Sequence, residues 1–483
     1  MDDNLGSLIS RRSFLRQGAC ASLGMAGVAS QMFTLRSVSA ALASASGLDD
    51  YRAAVCIFLF GGNDNGNTIV PYDNGPQNYD LYATQRNELV IPFNSLASTV
   101  ISPTNTGGRR FALHPELQDV ANLFNSGNVS VAANVGSLVE PMDKTKWDNR
   151  SAIRPPQLFA HDAQQDQWQL STADAMDNLG WGGRVADALV AGGVAQQSNV
   201  AMNISLQGAN IFLSGRDVQP YIMSSGGPKL LNFAGNSSED AVLRTAYADI
   251  MALQNNTNFA GQDAMKKAYA EISARAQSNA NLVGDVLNAS TLVPDAPPQN
   301  LPRQLEAIAK MIEGAQSLGH NRQIFFCAMG GFDNHDGLIG TNALDGNHAA
   351  RLQEVNAGLK YFWDTLGALG LRDCVTTFTA SDFGRTYVSN GDGSDHGWAS
   401  DHFVMGGNQL NGKQMFGQFG DIQIGGPEDT GNGRFIPSVS VDAYSFEIAR
   451  WLGVPISEMG LIFPNLFRFL DVNNPTTHLG IMK

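Results

Sequence analysis

Basic residues are scarce in this chain. Against 45 Asp and Glu it carries 31 Lys and Arg, a formal net charge of −14 over 483 residues. A surface of that sign repels polyanions at long range, which argues against DNA, RNA and anionic membranes as partners. Cysteine is scarcer still, at four. Cys20 lies in the N-terminal segment, while Cys56, Cys327 and Cys374 each sit in or beside an apolar run (AAVCIFLF, IFFCAM, DCVTTF). No CxxC pair or Cys/His ribbon spacing occurs. That excludes a zinc ribbon and makes buried thiols the expectation rather than a disulfide framework. No run approaches the ~18 uninterrupted apolar residues of a membrane-spanning helix. Internal repeats and blocks of like charge are missing as well.

The N-terminus is rich in information. Ser10-Arg11-Arg12-Ser13-Phe14-Leu15-Arg16 has the form of a twin-arginine export signal. A weakly apolar, Gly/Ala-rich stretch follows over residues 19–32, and Val38-Ser39-Ala40 supplies the small residues a signal peptidase cuts after. The stretch is too short and too glycine-rich to be a lasting anchor. These features predict a signal over residues 1–40 and export of the folded chain to the periplasm or beyond. Residues 41–483 then carry a net charge of about −16 and are numerous enough to bury a full core.

Short apolar runs at 53–60, 129–135, 324–329 and 375–379 are rich in Val, Ile, Phe and Thr. Runs of that length read as strands covered on both faces. Helical spacing alternates with them. Leu352, Val355, Leu359, Phe362, Leu366 and Leu369 recur at steps of three and four, and Val441, Tyr444, Ile448 and Leu452 continue the theme. Residues 239–254 and 261–287 read as further helices, and 288–302 as a proline-rich linker. The pattern predicts a single three-layer α/β/α sandwich around a mainly parallel sheet over 41–483, decorated by a helical and irregular insertion at about 190–300.

Four turns carry candidate chemistry. Gly61-Gly62-Asn63-Asp64 follows the first run, Gly330-Gly331-Phe332-Asp333-Asn334-His335 the run at 324–329, and Ser381-Asp382-Phe383-Gly384-Arg385 the run at 375–379. Ligands bind at the carboxyl ends of strands in open α/β sheets. Asp333 and His335, two apart in extended chain, can face one zinc, manganese or iron ion. The planar fork of Arg385 suits a tetrahedral oxyanion. The fourth turn is Asp395-His396-Gly397-Trp398 with Asp401-His402, two imidazoles each beside a carboxylate. Each turn alone is also what Asn, Asp and Gly form for local reasons.

Taken in order, FLFGGNDNGNTIVPYD, FALHPEL, VAANVGSLVEP, LFAHDAQQDQWQ, GWGGR, GGFDNH, SDFGRT, DHGWASDHFVMGG and SVDAYSFEIARWLGV resemble the DUF1501 family over about 53–469. That family comprises twin-arginine-tagged bacterial proteins within the alkaline phosphatase/sulfatase superfamily. The resemblance implies an alkaline-phosphatase-like hydrolase of phosphate or sulfate esters using one or two divalent ions, zinc or manganese. It makes Asp64, Asp333, His335, Asp382 and His396 look like metal ligands, with His402 a further one, and His161 and Arg385 look catalytic. Two departures stand out. Phe383 follows Asp382 where the superfamily often has Asp-His, and Asp382 itself replaces a common Glu. No cysteine lies where a formylglycine nucleophile would be, which leaves Ser137, Thr145 and His161 as open candidates. The expected substrate is an anionic small-molecule or polymeric ester. A non-catalytic binding or structural protein of the cell envelope on the same fold stays open beside it. The sequence does not set the oligomeric state.

Overall fold

β-branched and aromatic residues without helical spacing form the strands, and the three- and four-residue steps form the helices between them. In the computed structural model, which describes residues 50–73, 75, 78–174, 178–229, 237–252, 264–292 and 295–483, the main elements run β1 (Arg52–Leu59), α1 (Gln118–Asn125), β2 (Val129–Gly136), α2 (His161–Leu170), α3 (Trp181–Ala191), β3 (Asn203–Ser205) and β4 (Tyr221–Ile222). They continue with α4 (Ser238–Ala252), α5 (Ala264–Ala289), α6 (Asn300–Glu313), β5 (Arg322–Met329), α7 (Asn347–Ala368), β6 (Val375–Ser381), β7 (Ser400–Met405), β8 (Met415–Phe416), β9 (Val439–Ser440) and α8 (Val441–Leu452). The expected signal over 1–40 lies outside the described residues.

The strands join one sheet in the order β8-β2-β7-β6-β1-β5-β3-β4, with β9 beside β2. β1 pairs in parallel with both β5 and β6. β7 alone among the described strands of this sheet runs antiparallel to its neighbours, β2 and β6. The architecture is the mixed α/β fold with a large, mostly parallel sheet that the sequence predicts. Residues Arg52–Lys483 form one compact unit.

Side chains alternate across the sheet. Ala54, Cys56, Phe58, Ile324, Phe326 and Phe378 face one way, into a core with Trp181, Val185 and Leu189 of α3 and Tyr444, Ile448 and Leu452 of α8. Val55, Ile57, Phe325 and Cys327 point the other way and are equally buried. α6 packs on β5. There the Gln304 amide donates to the Ala328 carbonyl at 2.9 Å and accepts from its N–H at 3.1 Å. It thereby satisfies backbone groups that β3, ending at Ser205, is too short to reach. Cys56 and Cys327 are buried on adjacent strands, and burial pushes both thiols above their ordinary range, which makes them inert packing groups.

Two expectations change in detail. The 190–300 region is not merely decoration, because β3 and β4 extend the sheet edge beyond β5. The 288–302 linker gives way to α6 at Asn300, with Pro302 in its first turn. A proline is tolerated there because its missing N–H has no intrahelical partner to lose. Among the described residues, no helix is long and apolar enough to cross a membrane.

Candidate active site

Register brings the site together. Leu59 of β1 stands level with Met329 of β5 and with Ser381 of β6, so the turns after all three strands leave the same sheet edge. The turn after β1 is held by Gly61 and Gly62, at φ +115° and +83°. A Cβ on Gly61 would stand 2.3 Å from the Asp333 nitrogen. Only glycine lets the two turns approach this closely.

Asp382, just past β6, is fully buried. Its carboxylate accepts from the Gly61 N–H at 3.2 Å, from Gln165 Nε2 at 2.8 Å and from His161 Nδ1 at 2.6 Å. His161 opens α2, and Gln165 lies one turn on along the same face. The hydrogen bond it donates to Asp382 raises His161 above the ordinary imidazole value, against its partial burial. With its proton on Nδ1, the neutral ring presents the Nε2 lone pair. That atom is buried and has no hydrogen-bond partner among the described residues, and it lies 3.4 Å from Asp333 Oδ2.

Asp333 follows β5, and its Oδ1 is 2.7 Å from Arg385 Nη1, 3.1 Å from His335 Nε2 and 3.2 Å from His396 Nε2. Partial burial works against its charge, and the Arg385 guanidinium prevails, holding the carboxyl below its usual range. His396 ends a strand, Ser394–His396, that forms a hairpin with Arg385–Ser389. Its Nδ1 lies 2.6 Å from the Phe159 carbonyl. A carbonyl can only accept, so Nδ1 bears the proton and Nε2 is again a lone pair aimed at Asp333. Burial holds His396 below its usual value. Ligand atoms of His161, Asp333 and His396 all fall within 4.8 Å of one another. Two imidazole nitrogens and a carboxylate oxygen make a donor set of the kind that zinc, manganese or iron accepts, with coordination positions left open. The orphaned Nε2 of His161 shows that the residues present fit such an ion.

The structure thus gathers His161, Asp333, His335, Asp382, Arg385 and His396 at one edge, but their parts differ from the sequence expectation. Asp382 is spent on orienting His161, an arrangement typical of the outer partner of a ligating imidazole. His335 stands beside the three-ligand group, its Nε2 2.9 Å from His396 Nε2 and its Nδ1 3.2 Å from Asp395. Arg385 is not a fork open to an oxyanion. Its side chain is fully buried, and it donates to the Gly61 carbonyl at 3.1 Å, to Asp333 and to the Ser394 carbonyl. The Gly61 N–H is likewise taken, by Asp382.

Two expected ligands go elsewhere. Asp64 is buried against Arg86, Oδ2 to Nη2 at 2.5 Å, and burial raises its carboxyl despite that partner. His402 lies on β7 inside the core, its ring 4.7 Å from Trp168 and 5.8 Å from Tyr444. Burial lowers it to about 3, so it is a neutral packing group. Ser137 is buried beneath Gln164 at 3.4 Å, and Thr145 is exposed on a separate helix, Lys144–Asn149. Gln165 and Phe159 escaped the sequence reading as partners, and Asp395, read there as the carboxylate beside His396, pairs with His335 instead. Of the first two, only Gln165 could have been flagged, by its spacing from His161.

The family model described as a protein of unknown function (DUF1501) matches residues 51–425. No curated protein matches the chain. Solved structures match at low similarity. Ps i-CgsB, crystallised with k-i-k-neocarrahexaose, aligns with a TM-score of 0.36 at 9% identity, over 86% of this chain and 76% of that one. PsFucS1 sulfatase from Pseudoalteromonas sp. aligns at 0.33 and 11%, over 84% and 68%. The lipoteichoic acid synthase LtaP from Listeria monocytogenes aligns at 0.30 and 7%, over 76% and 69%. Likeness at that level carries no functional weight.

Proposed function

The chain belongs to the DUF1501 family, and from that premise we propose that it is an exported, metal-dependent hydrolase of phosphate or sulfate esters. The observation that carries the reading is the convergence of three lone-pair donors, His161 Nε2, His396 Nε2 and the Asp333 carboxylate, within 4.8 Å. A divalent ion held by them would polarise the ester oxygen and stabilise charge as it develops. Asp382 and the Phe159 carbonyl fix the two imidazole tautomers, so the donors need no reorganisation. Arg385 keeps Asp333 ionised and anchored. Water is the attacking group in this reading, because neither Ser137 nor Thr145 adjoins the cluster. His335, half-exposed and paired with Asp395, stands beside the cluster. The twin-arginine motif at residues 10–16 supports export to the periplasm or beyond, and the substrate is an anionic small-molecule or polymeric ester.

A second reading has one observation in its favour. Asp64 and Asp333 are each met by a cation of the protein itself, Arg86 or Arg385, and Asp382 by the His161 Nδ1–H. Such a cluster holds together without metal, as a non-catalytic envelope protein would require. Metal analysis of the purified exported protein, followed by chelation and reloading with zinc or manganese, separates the two. Stoichiometric metal and metal-restored hydrolysis of p-nitrophenyl phosphate or sulfate are expected. A protein that neither takes up metal nor hydrolyses either ester would sink the enzyme reading.

A further inference from the structure

His396 differs from the other donors in what holds it. The Nδ1 of His161 is met by a carboxylate, whereas that of His396 is met by a single backbone carbonyl, that of Phe159. That carbonyl sits on an unusual stretch of chain. Phe159 has φ +70° and Gln157 φ +50°. A bulky side chain at positive φ is disfavoured and persists only where the surroundings over-determine it. Something must therefore keep residue 159 in place.

The Gln164 side chain does so from one side, accepting the Phe159 N–H at 2.6 Å. From the other side comes Arg434. Its guanidinium lies 5.0 Å over the Phe159 ring, and its Nε donates to the His396 carbonyl at 2.8 Å. One planar group thus touches both halves of the bond that sets the His396 tautomer. The segment that delivers it is itself tightly built. Asp429 is buried and accepts from the N–H groups of Gly425, Gly431 and Gly433 at 2.7–2.9 Å. Thr430 closes on the Arg434 carbonyl through both N–H and hydroxyl. The Asn432 and Gly433 carbonyls accept from Val388 and Tyr387, tying the loop to the site hairpin. A Cβ on Gly433 would stand 2.4 Å from that of Tyr387. The family match ends at residue 425, before this arginine.

We infer that Arg434 is a positioning residue of the site: by clamping Phe159 against His396 it keeps the His396 proton on Nδ1 and its Nε2 lone pair turned toward Asp333 and His161. The inference rests on His396 being a ligand only for its consequence on metal affinity, because the tautomer itself is a property of the metal-free protein. Lysine cannot replace this residue, since an ammonium lacks the plane that stacks on the ring while donating sideways.

The test uses the full mature chain with labelled histidines. Long-range proton–nitrogen NMR of the metal-free protein reads the His396 tautomer, and zinc titration reads affinity. Wild type should hold the Nδ1–H form. Arg434→Gln should mix the two tautomers and weaken zinc binding about 10-fold, and Arg434→Lys should move both readouts the same way. His114 and His348, buried elsewhere, certify the fold if their signals stay put. Phe159→Gly keeps the backbone geometry and deletes the ring. Its effect should overlap that of Arg434→Gln, so the double variant is no worse than about twofold beyond Arg434→Gln alone. A scrambled tautomer in Arg434→Gln would sustain the clamp even if wild type took no zinc, in which case only the metal reading falls. A single Nδ1–H tautomer with unchanged signals in Arg434→Gln would overturn it, as would single-variant losses that add in full.

Discussion

His161 and Asp382 are 221 residues apart in the chain and 2.6 Å apart in space. The first residue of α2 and the first residue after β6 meet there, at the carboxyl edge of the sheet. A helix N-terminus disfavours a protonated imidazole. The carboxylate at its back overrides that and fixes which nitrogen faces Asp333.

Replacing that carboxylate by an amide leaves the volume and removes the orientation. Asp382→Asn should lower zinc affinity about 10- to 100-fold, as expected when the outer partner of a ligating histidine is lost. Calorimetric titration checks this. Affinity equal to wild type would mean that Asp382 does not set the His161 ring.

The turn at Gly61 should tolerate no side chain. At φ +115° with the Asp333 nitrogen 2.3 Å from a Cβ, Gly61→Ala must move backbone at two strand ends. A loss of more than about 2 kcal/mol in urea unfolding is expected, together with loss of metal binding. An alanine variant as stable as wild type would show that the two turns are not held this closely.

Acid should destabilise the protein partly through His402. Its folded-state value of about 3 lies below that of the unfolded chain, so the unfolded state takes up the proton first. Its contribution is therefore present above about pH 6.5 and is lost as pH falls toward 3, at roughly 1.4 kcal/mol per pH unit. His402→Phe removes that titration. Its stability relative to wild type should improve steadily below pH 6.5, measured by denaturant midpoints across the range. Parallel curves for the two proteins would refute the assignment.

Export should depend on the arginine pair. Arg11→Lys combined with Arg12→Lys should leave full-length precursor in the cytoplasm, because the pathway reads that pair. Fractionation and N-terminal sequencing decide it, and normal processing of the double variant would remove the signal reading.

Much of this was legible in the residues. The runs that became β1, β2, β5 and β6 are continuous and apolar because both sheet faces are covered, and the glycines after them mark the edge where chain turns. His402 was misjudged because 395–402 reads as one polar loop. In the structure β7 already begins at Ser400, and alternation along it turns the ring into the core. The partners of Asp64 and Asp382 were out of reach for another reason. Arg86 and Gln165 lie on helices whose docking is decided by tertiary packing, and no local pattern encodes which carboxylate each will meet. α6 was hidden by the prolines ahead of it, although Leu301, Leu305, Ile308 and Ile312 carry helical spacing.

The central place of β1 also governs how the chain reaches its shape. Its partners are Arg322–Met329 on one side and Val375–Ser381 on the other. While the chain is being made, the first strand emerges with both edges bare and finds neither neighbour until more than 320 of 483 residues exist. Pairing over such separations is slow, and an apolar strand with open edges is prone to stick to other chains in the interval. The nascent protein therefore needs shielding over 52–59 for most of its synthesis, and the second edge of β1 is filled only when β6 arrives.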